Sequence, residues 1–204
     1  MGRREEKKAE KRARIERAGL SLFTELGFDR TSIEQVIAQA DIARGTFYLY
    51  YPDKLHLFES IQRRWIYPLT TVLTDVRSSI ENAQSSQECI EIYQQMGQRL
   101  AHIGLTNAAE LLLGIRELRA QSAGGDWLRL QEKDIQGLTI DLTILAKTQG
   151  LIHVETPQLA SIIIVGAIEK VFYEFVTQGL DGDPISLATE ATQLLSRVLG
   201  LGLK

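Results

Sequence analysis

Apolar residues in this chain recur at every third or fourth position almost from end to end. No segment shows a convincing alternation with the period of two that a half-buried strand requires. That regularity predicts an all-α fold. Ile15, Ala18, Leu22, Phe23 and Leu26 form one stripe, and Gly27 follows where a helix stops in a left-handed conformation. Thr31 and Glu34 have the spacing of a capping box for a second helix with Ile33, Val36, Ile37 and Ala40 on its buried face. A very short helix is expected over about 43–50. Pro52 then suits the first turn of the next helix, which carries Leu55, Phe58, Ile61 and Trp65 on one side.

Further on, Pro68 should kink or end that helix. "SSQE" at 85–88 reads as another capping box, and "NAAE" at 107–110 as a further start. Gly124 and Gly125 should break the pattern, leaving Asp126 to cap a long helix that ends near Gly150. Thr156 with Pro157, and Asp183 with Pro184, repeat a cap-then-proline device, and Gly179 stands as a stop between them. The expectation is about nine helices without internal repeats.

Charge is distributed unevenly along the 204 residues. The net value is −3, yet residues 1–64 hold 13 Lys/Arg against 10 Asp/Glu and the remainder 10 against 16. A basic N-terminal part on an acidic body suggests that only one end meets a polyanion. The N-terminal stretch "MGRREEKKAEKRARIER" lacks the apolar core of a secretory signal, and the longest nearly apolar run, 159–168, is far too short to cross a bilayer. One cysteine, Cys89, cannot form an intrachain disulfide, and no His, Cys and carboxylate grouping has metal-ligand spacing. His102 and His153 read as surface or core residues. Neither metal nor cofactor is expected, and the expected location is cytoplasmic.

Residues 31–51 read as helix, turn, helix. Asp41 occupies the turn, where Asp tolerates the left-handed conformation better than most residues with a Cβ. On the second helix Phe47 and Tyr51 are four apart and face inward together. That leaves Arg44, Gly45, Tyr48 and Leu49 on the opposite face with Thr46 beside them. A guanidinium, a glycine that permits close approach and a phenol suit a DNA groove, because Arg pairs bidentately with guanine and hydroxyls reach phosphates. Lys54 adds a cation in the first turn of the next helix, and Thr31 and Ser32 offer hydroxyls at the start of the preceding one.

"TSIEQVIAQADIARGTFYLYYPDKLHLF", residues 31–58, resembles the helix-turn-helix signature of TetR-type transcriptional regulators. The resemblance implies an N-terminal helix-turn-helix DNA-binding domain over 1–52 and a C-terminal helical ligand-binding and dimerisation domain over 53–204. It implies DNA contacts from Ser32, Arg44, Thr46, Tyr48 and Lys54, to which the reading of the residues themselves adds Thr31, Gly45 and Leu49. Arg3 and Arg4 would add contacts as a flexible arm. Three residues depart from the family pattern. Asp41 replaces a glycine, Ala43 replaces the serine that caps the recognition helix, and Leu49 stands where His is common. A missing cap costs typically ~1 kcal/mol.

In the body, Leu187, Ala188, Ala191, Leu194, Leu195, Val198 and Leu199 make one continuous stripe on the last helix. The preceding helix is apolar nearly all round from Leu159 to Ile168. Together these imply a homodimer interface that includes Ile163, Gly166, Ala167, Leu187, Ala191, Leu194, Leu195 and Val198. The family places an effector pocket in the middle helices, for which Tyr93, Met96, Leu100, His102, Leu112, Trp127, Ile144 and Phe172 are the candidates. The expected function is a dimeric DNA-binding regulator, a repressor released from a palindromic operator by an unknown small hydrophobic effector. The alternative is a helical interaction protein on the same scaffold that has lost DNA binding. An enzyme is not expected: there is no nucleophile elbow, phosphate loop or zinc-protease motif, and glutamates beside Cys89 should raise its thiol pKa.

Overall fold

The computed structural model describes residues 2–178 and 183–198, apart from the side chains at 178, 184, 185, 188, 192, 195, 196 and 198. Gly179, Leu199 and the side chains of Ala188, Leu195 and Val198, all singled out above, lie outside the described residues. Nine α-helices and no strand occur among the described residues. By internal contact the chain forms two compact units, residues 1–64 with 109–130, and residues 65–108 with 131–204. This division differs from a boundary at 52/53, because a middle segment joins the first unit.

The first unit holds α1 (Arg3–Leu26), α2 (Ile33–Ala40), α3 (Arg44–Tyr48), the start of α4 (Lys54–Asn82), most of α6 (Ala108–Leu118) and the start of α7 (Ala123–Thr148). Its centre is an aromatic cluster. Phe23, Phe28 and Phe58 meet with ring centroids 5.2–5.7 Å apart, and Trp127 sets an edge against Phe58 at 6.5 Å. Ile15, Val36, Phe47, Leu57 and Ile61 are fully buried around it. Gly124 lies against this cluster, where a Cβ would come within 3.1–3.2 Å of Phe28 and Phe58. The glycines at 124 and 125 therefore do not break the helix. They sit inside its first turn, Ser122 supplies the cap to Gly125 N–H at 3.0 Å, and a Cβ at Gly125 would collide with the carbonyls of Ala120 and Glu117. Asp126 is not the cap.

The second unit contains the rest of α4 and α7 with α5 (Ser86–Thr106), α8 (Pro157–Gln178) and α9 (Pro184–Val198). Val72, Leu73, Val76, Ile80, Cys89, Met96, Leu142, Ala146, Leu151 and Ile152 form its core. Pro68 does not end α4. Its missing donor costs about 3 kcal/mol, whereas burying Val72, Leu73, Val76 and Ile80 is worth about 1.5–3 kcal/mol each. Ser85 caps α5 by accepting from Glu88 N–H, while Glu88 reaches back to Gln84 N–H. Asn107 ends α5 and turns its amide onto the Ile103 carbonyl, so α6 begins one residue later. Asp183 caps α9 through Ser186 N–H.

Candidate nucleic-acid interface

α2 is short and needs a strong start. Ser32 Oγ accepts from Gln35 N–H at 3.1 Å, and Gln35 Oε1 accepts from Ser32 N–H at 2.7 Å. This box lies one residue beyond the expected pair of Thr31 and Glu34. Thr31 is 1% exposed and donates its hydroxyl to the Gly27 carbonyl. It belongs to the frame of the loop and presents nothing to a ligand. Gly27 has positive φ as expected, although its ψ of 164° is extended.

Lys54 is also placed differently from the expected phosphate contact. Its ammonium donates to the carbonyls of Phe28, Asp29 and Thr31 at 2.7, 3.2 and 2.8 Å and lies 4.4 Å from the centre of the Phe28 ring. Three donors are spent on the loop between α1 and α2, and burial lowers its pKa. α4 takes its cap from Asp53, which accepts from His56 N–H, so Pro52 precedes the cap.

The turn between α2 and α3 depends on Asp41 at φ 49°, ψ 61°, in the left-handed region. Arg14 of α1 holds it. One guanidinium nitrogen donates to the Ala40 carbonyl at 2.6 Å, the Asp41 carbonyl at 2.9 Å and the Asp41 carboxylate at 3.2 Å. Asp41 does not take over as cap of α3, and Ala43 has no side chain to do so. Sequence reasoning missed Arg14; its signal was a cation at the edge of the apolar stripe of α1.

α3 is anchored from beneath. Phe47 is fully buried and Tyr51 nearly so, with rings 6.0 Å apart. The Tyr51 hydroxyl donates to Glu16 at 2.7 Å, which also accepts from Ser60 at 2.8 Å and Arg12 at 3.1 Å. Burial pushes the Glu16 carboxyl up, but these three donors outweigh it and hold its pKa below the usual value. Above this base stand Arg44, Gly45, Tyr48 and Leu49, all exposed, with Thr46 half-buried. Leu49 is 82% exposed, far more than an apolar residue gains from any internal role. A Cβ at Gly45 would meet nothing within 4 Å, so no packing inside the unit calls for glycine there. Arg44 pairs with Glu34 at 3.3 Å and lies 6.0 Å from the Tyr48 ring, but both charges are solvent-exposed and the pair is worth at most about 1 kcal/mol. The guanidinium is free to exchange that partner.

The effector-pocket candidates are divided between the two units. Met96 is in the second unit's core, with Tyr93 and Leu100 packed against it. Phe172 covers Gly104, where a Cβ would come within 2.6 Å. His102 and Ile144 are exposed. Leu112 and Trp127 belong to the first unit, and Trp127 lies beneath Arg63 at 5.6 Å. Burial, not the neighbouring glutamates, pushes the Cys89 thiol up to about 11. Of the dimer candidates, Ile163, Gly166 and Leu194 are exposed, whereas Ala167, Leu187 and Ala191 are half-buried.

Residues 15–61 match the family model for bacterial regulatory proteins of the tetR family. No curated protein matches the chain. A bacterial regulatory protein in the tetR family from Rhodococcus RHA1 is 19% identical, with a TM-score of 0.72 over 94% of this chain and 98% of that one. PfmR, a TetR family transcriptional regulator from Thermus thermophilus, is 14% identical with a TM-score of 0.70 over 93% and 98%. The transcriptional regulator FadR from Bacillus subtilis, solved in complex with stearoyl-CoA, is 18% identical with a TM-score of 0.65 over 90% and 96%. The chain has the fold of TetR-family regulators, with their helix-turn-helix domain at its N-terminus.

Proposed function

We propose, for a chain with the N-terminal domain and fold of TetR-family regulators, that it is a homodimeric, cytoplasmic repressor of transcription that acts by binding alone. In this reading α3 reads a palindromic operator, and a small hydrophobic effector releases the protein. One observation carries it: Arg44, Gly45, Tyr48 and Leu49 are held outward on a helix whose other face is buried to the last atom of Phe47. Arg44 offers a bidentate fork for guanine, Gly45 lets the backbone approach, and Leu49 suits a thymine methyl. Tyr48, Thr46 and the half-exposed Ser32 serve the phosphates. The first unit of the structure acts as the reading head and the second as the dimerisation and effector body, a functional division that follows contact more closely than a cut at 52/53.

The second unit exposes Leu159, Ile162, Ile163 and Tyr173 along one side of α8, and Leu194 on α9. That much apolar surface on a single copy supports burial against a second one. For the effector, the FadR neighbour's stearoyl-CoA makes a long-chain acyl thioester the first class to try.

The test is a titration of the purified protein against its own upstream intergenic DNA at two salt concentrations. Specific binding that weakens with salt is expected. Arg44→Ala should cost about 1–3 kcal/mol and relax preference at one operator position. Uniform weakening on all sequences would reassign Arg44 to phosphate. Absence of any specific site after selection from random DNA would leave the interaction-protein reading.

A further inference from the structure

α1 is helical from Arg3, so residues 3 and 4 do not form a flexible arm. Its buried face starts at Ile15, and from there it lies against α2. The contact between the two helices is not filled. Ala18 and Ala40, both buried and both ending at Cβ, floor a surface hollow of about 280 Å³ whose walls are Arg14, Arg17 and Gln39. That is close to the small end of the roughly 300–1,000 Å³ of small-molecule sites. All five residues belong to the first unit.

The lining is cationic and largely unspent. Arg17 and Gln39 are exposed, and among the described residues neither has an ion pair or a side-chain hydrogen bond. The neighbours of Arg17 three and four positions away on α1 are Ala13, Arg14, Leu20 and Ser21, so no carboxylate is placed to pair with it. Arg14 is tied to the turn through one guanidinium nitrogen, which leaves its other two nitrogens for a further acceptor. Glu10 stands four residues before Arg14, but no ion pair joins them, because the guanidinium is turned onto the end of α2. The remaining carboxylates nearby are engaged. Glu34 pairs with Arg44, Asp41 with Arg14, and Glu16 is held by Arg12, Tyr51 and Ser60. The carbonyls at the end of α2 would repel an anion, but Arg14 occupies that of Ala40. Two guanidiniums therefore face the hollow against the single carboxylate of Asp41.

We propose that this hollow between α1 and α2 is a binding site for a small oxyanion, the carboxylate or phosphate group of a metabolite, and that the bound anion steadies the turn into α3 through Arg14. Arg17 offers its whole fork for a bidentate bond, Arg14 adds the nitrogens that the turn leaves free, and the Gln39 amide donates one more. An anion held in this way favours the state in which Arg14 is docked on Ala40 and Asp41, so the turn opens only when the anion leaves. The site is distinct from the exposed face of α3, and only its consequence for an operator rests on the DNA-binding reading of that face.

The experiment titrates the isotope-labelled full chain with inorganic phosphate and, separately, with citrate, at an ionic strength held constant with chloride. Saturable shifts of the amides around Arg17 and Gln39 are expected, and the anion that gives them names phosphate or carboxylate as the group recognised. Arg17→Gln should weaken that binding by about tenfold or more, since hydrogen bonds between charged groups are lost. Exchange of the Asp41 and Ile42 amides, which bond to the carbonyls of Ala38 and Ile37, should slow as the site fills. Shifts that never saturate, or that Arg17→Gln leaves unchanged, mean an adventitious ion only and overturn the proposal. Saturable binding with unaltered exchange overturns the steadying of the turn. Operator binding in the same buffers should tighten with the anion in the wild type and not in Arg17→Gln. A weakening that requires Arg17 would make the hollow a contact for the DNA backbone and overturn the proposal. Saturable anion binding by a protein that selects no specific DNA would refute the reading of α3 and uphold the site.

Discussion

Asp41 is the residue on which the geometry of the reading helix turns. An L-residue in the left-handed region costs roughly 1–2 kcal/mol, and Asp41 occupies it without the relief glycine gives. Arg14 offsets that cost by bonding both carbonyls of the turn and the Asp41 carboxylate. The departure from the family's glycine is thus paired with a cation 27 residues away. Removing the cation should expose the strain. Arg14→Ala should lower stability by about 1–2 kcal/mol, since hydrogen bonds to charged groups are worth that much at a half-exposed site. Asp41→Gly should stabilise the Arg14→Ala protein more than the wild type, because in the wild type it also removes a partner. Urea denaturation of the four proteins gives the coupling, and additive effects would show that the two residues act independently.

Between elements, α1 is held in two places by polar groups that only folding brings together. Arg116 of α6 donates to the carbonyls of Phe23 and Thr24 at the end of α1, and Glu117 accepts from Phe28 N–H at 3.3 Å. A cation thereby meets the negative end of the α1 dipole. On another side, Arg12, Glu16, Tyr51 and Ser60 tie α1 to the end of the reading segment and to α4. Glu16 has a depressed pKa, so its contribution is complete above the unfolded carboxylate pKa and is lost as pH falls through the folded one. Glu16→Gln should cost on the order of 1–3 kcal/mol at pH 7. The gap between wild type and variant should narrow as pH drops below about 4.5. Urea midpoints at pH 7 and pH 3 measure it, and a gap that stays constant would remove the carboxylate from the brace.

For the whole molecule, the exposed side of α8 is the surface on which the proposed dimer, and so the number of reading heads on DNA, depends. Leu159 is 56% exposed, Ile162 51% and Ile163 45%, near one another on the helix. Gly166 stands open one turn further, leaving room for a second helix to approach. If the proposed dimer forms through α8, Ile163→Glu should convert it into a 22.9 kDa monomer by light scattering and leave the helical content unchanged. Operator affinity should fall by about 10²–10⁴, because the second half-site is no longer bound at high effective concentration. An unchanged mass would remove α8 from the interface.

Much of this architecture is legible in the sequence because it is local. Ser85 and Asp183 start the helices where a short hydroxyl or carboxylate can reach an amide three residues on, and that reach needs no tertiary context. The stripe from Ile15 to Phe23 and the inward pair Phe47 and Tyr51 follow from a period of 3.6. The exposed face of α3 is then what remains once those two are buried. Tertiary structure decided the rest, because each outcome depends on atoms distant in the chain. Ser32 rather than Thr31 caps α2 because folding buries the Thr31 hydroxyl on Gly27. Lys54 turns inward because the carbonyls of 28, 29 and 31 lie in its path. Pro68 stays in α4 because the residues after it are buried, and Gly124 stays in α7 because two phenylalanines occupy the space a Cβ needs. Local patterns can place helices and their faces, but only packing can say which polar groups are consumed in holding them together.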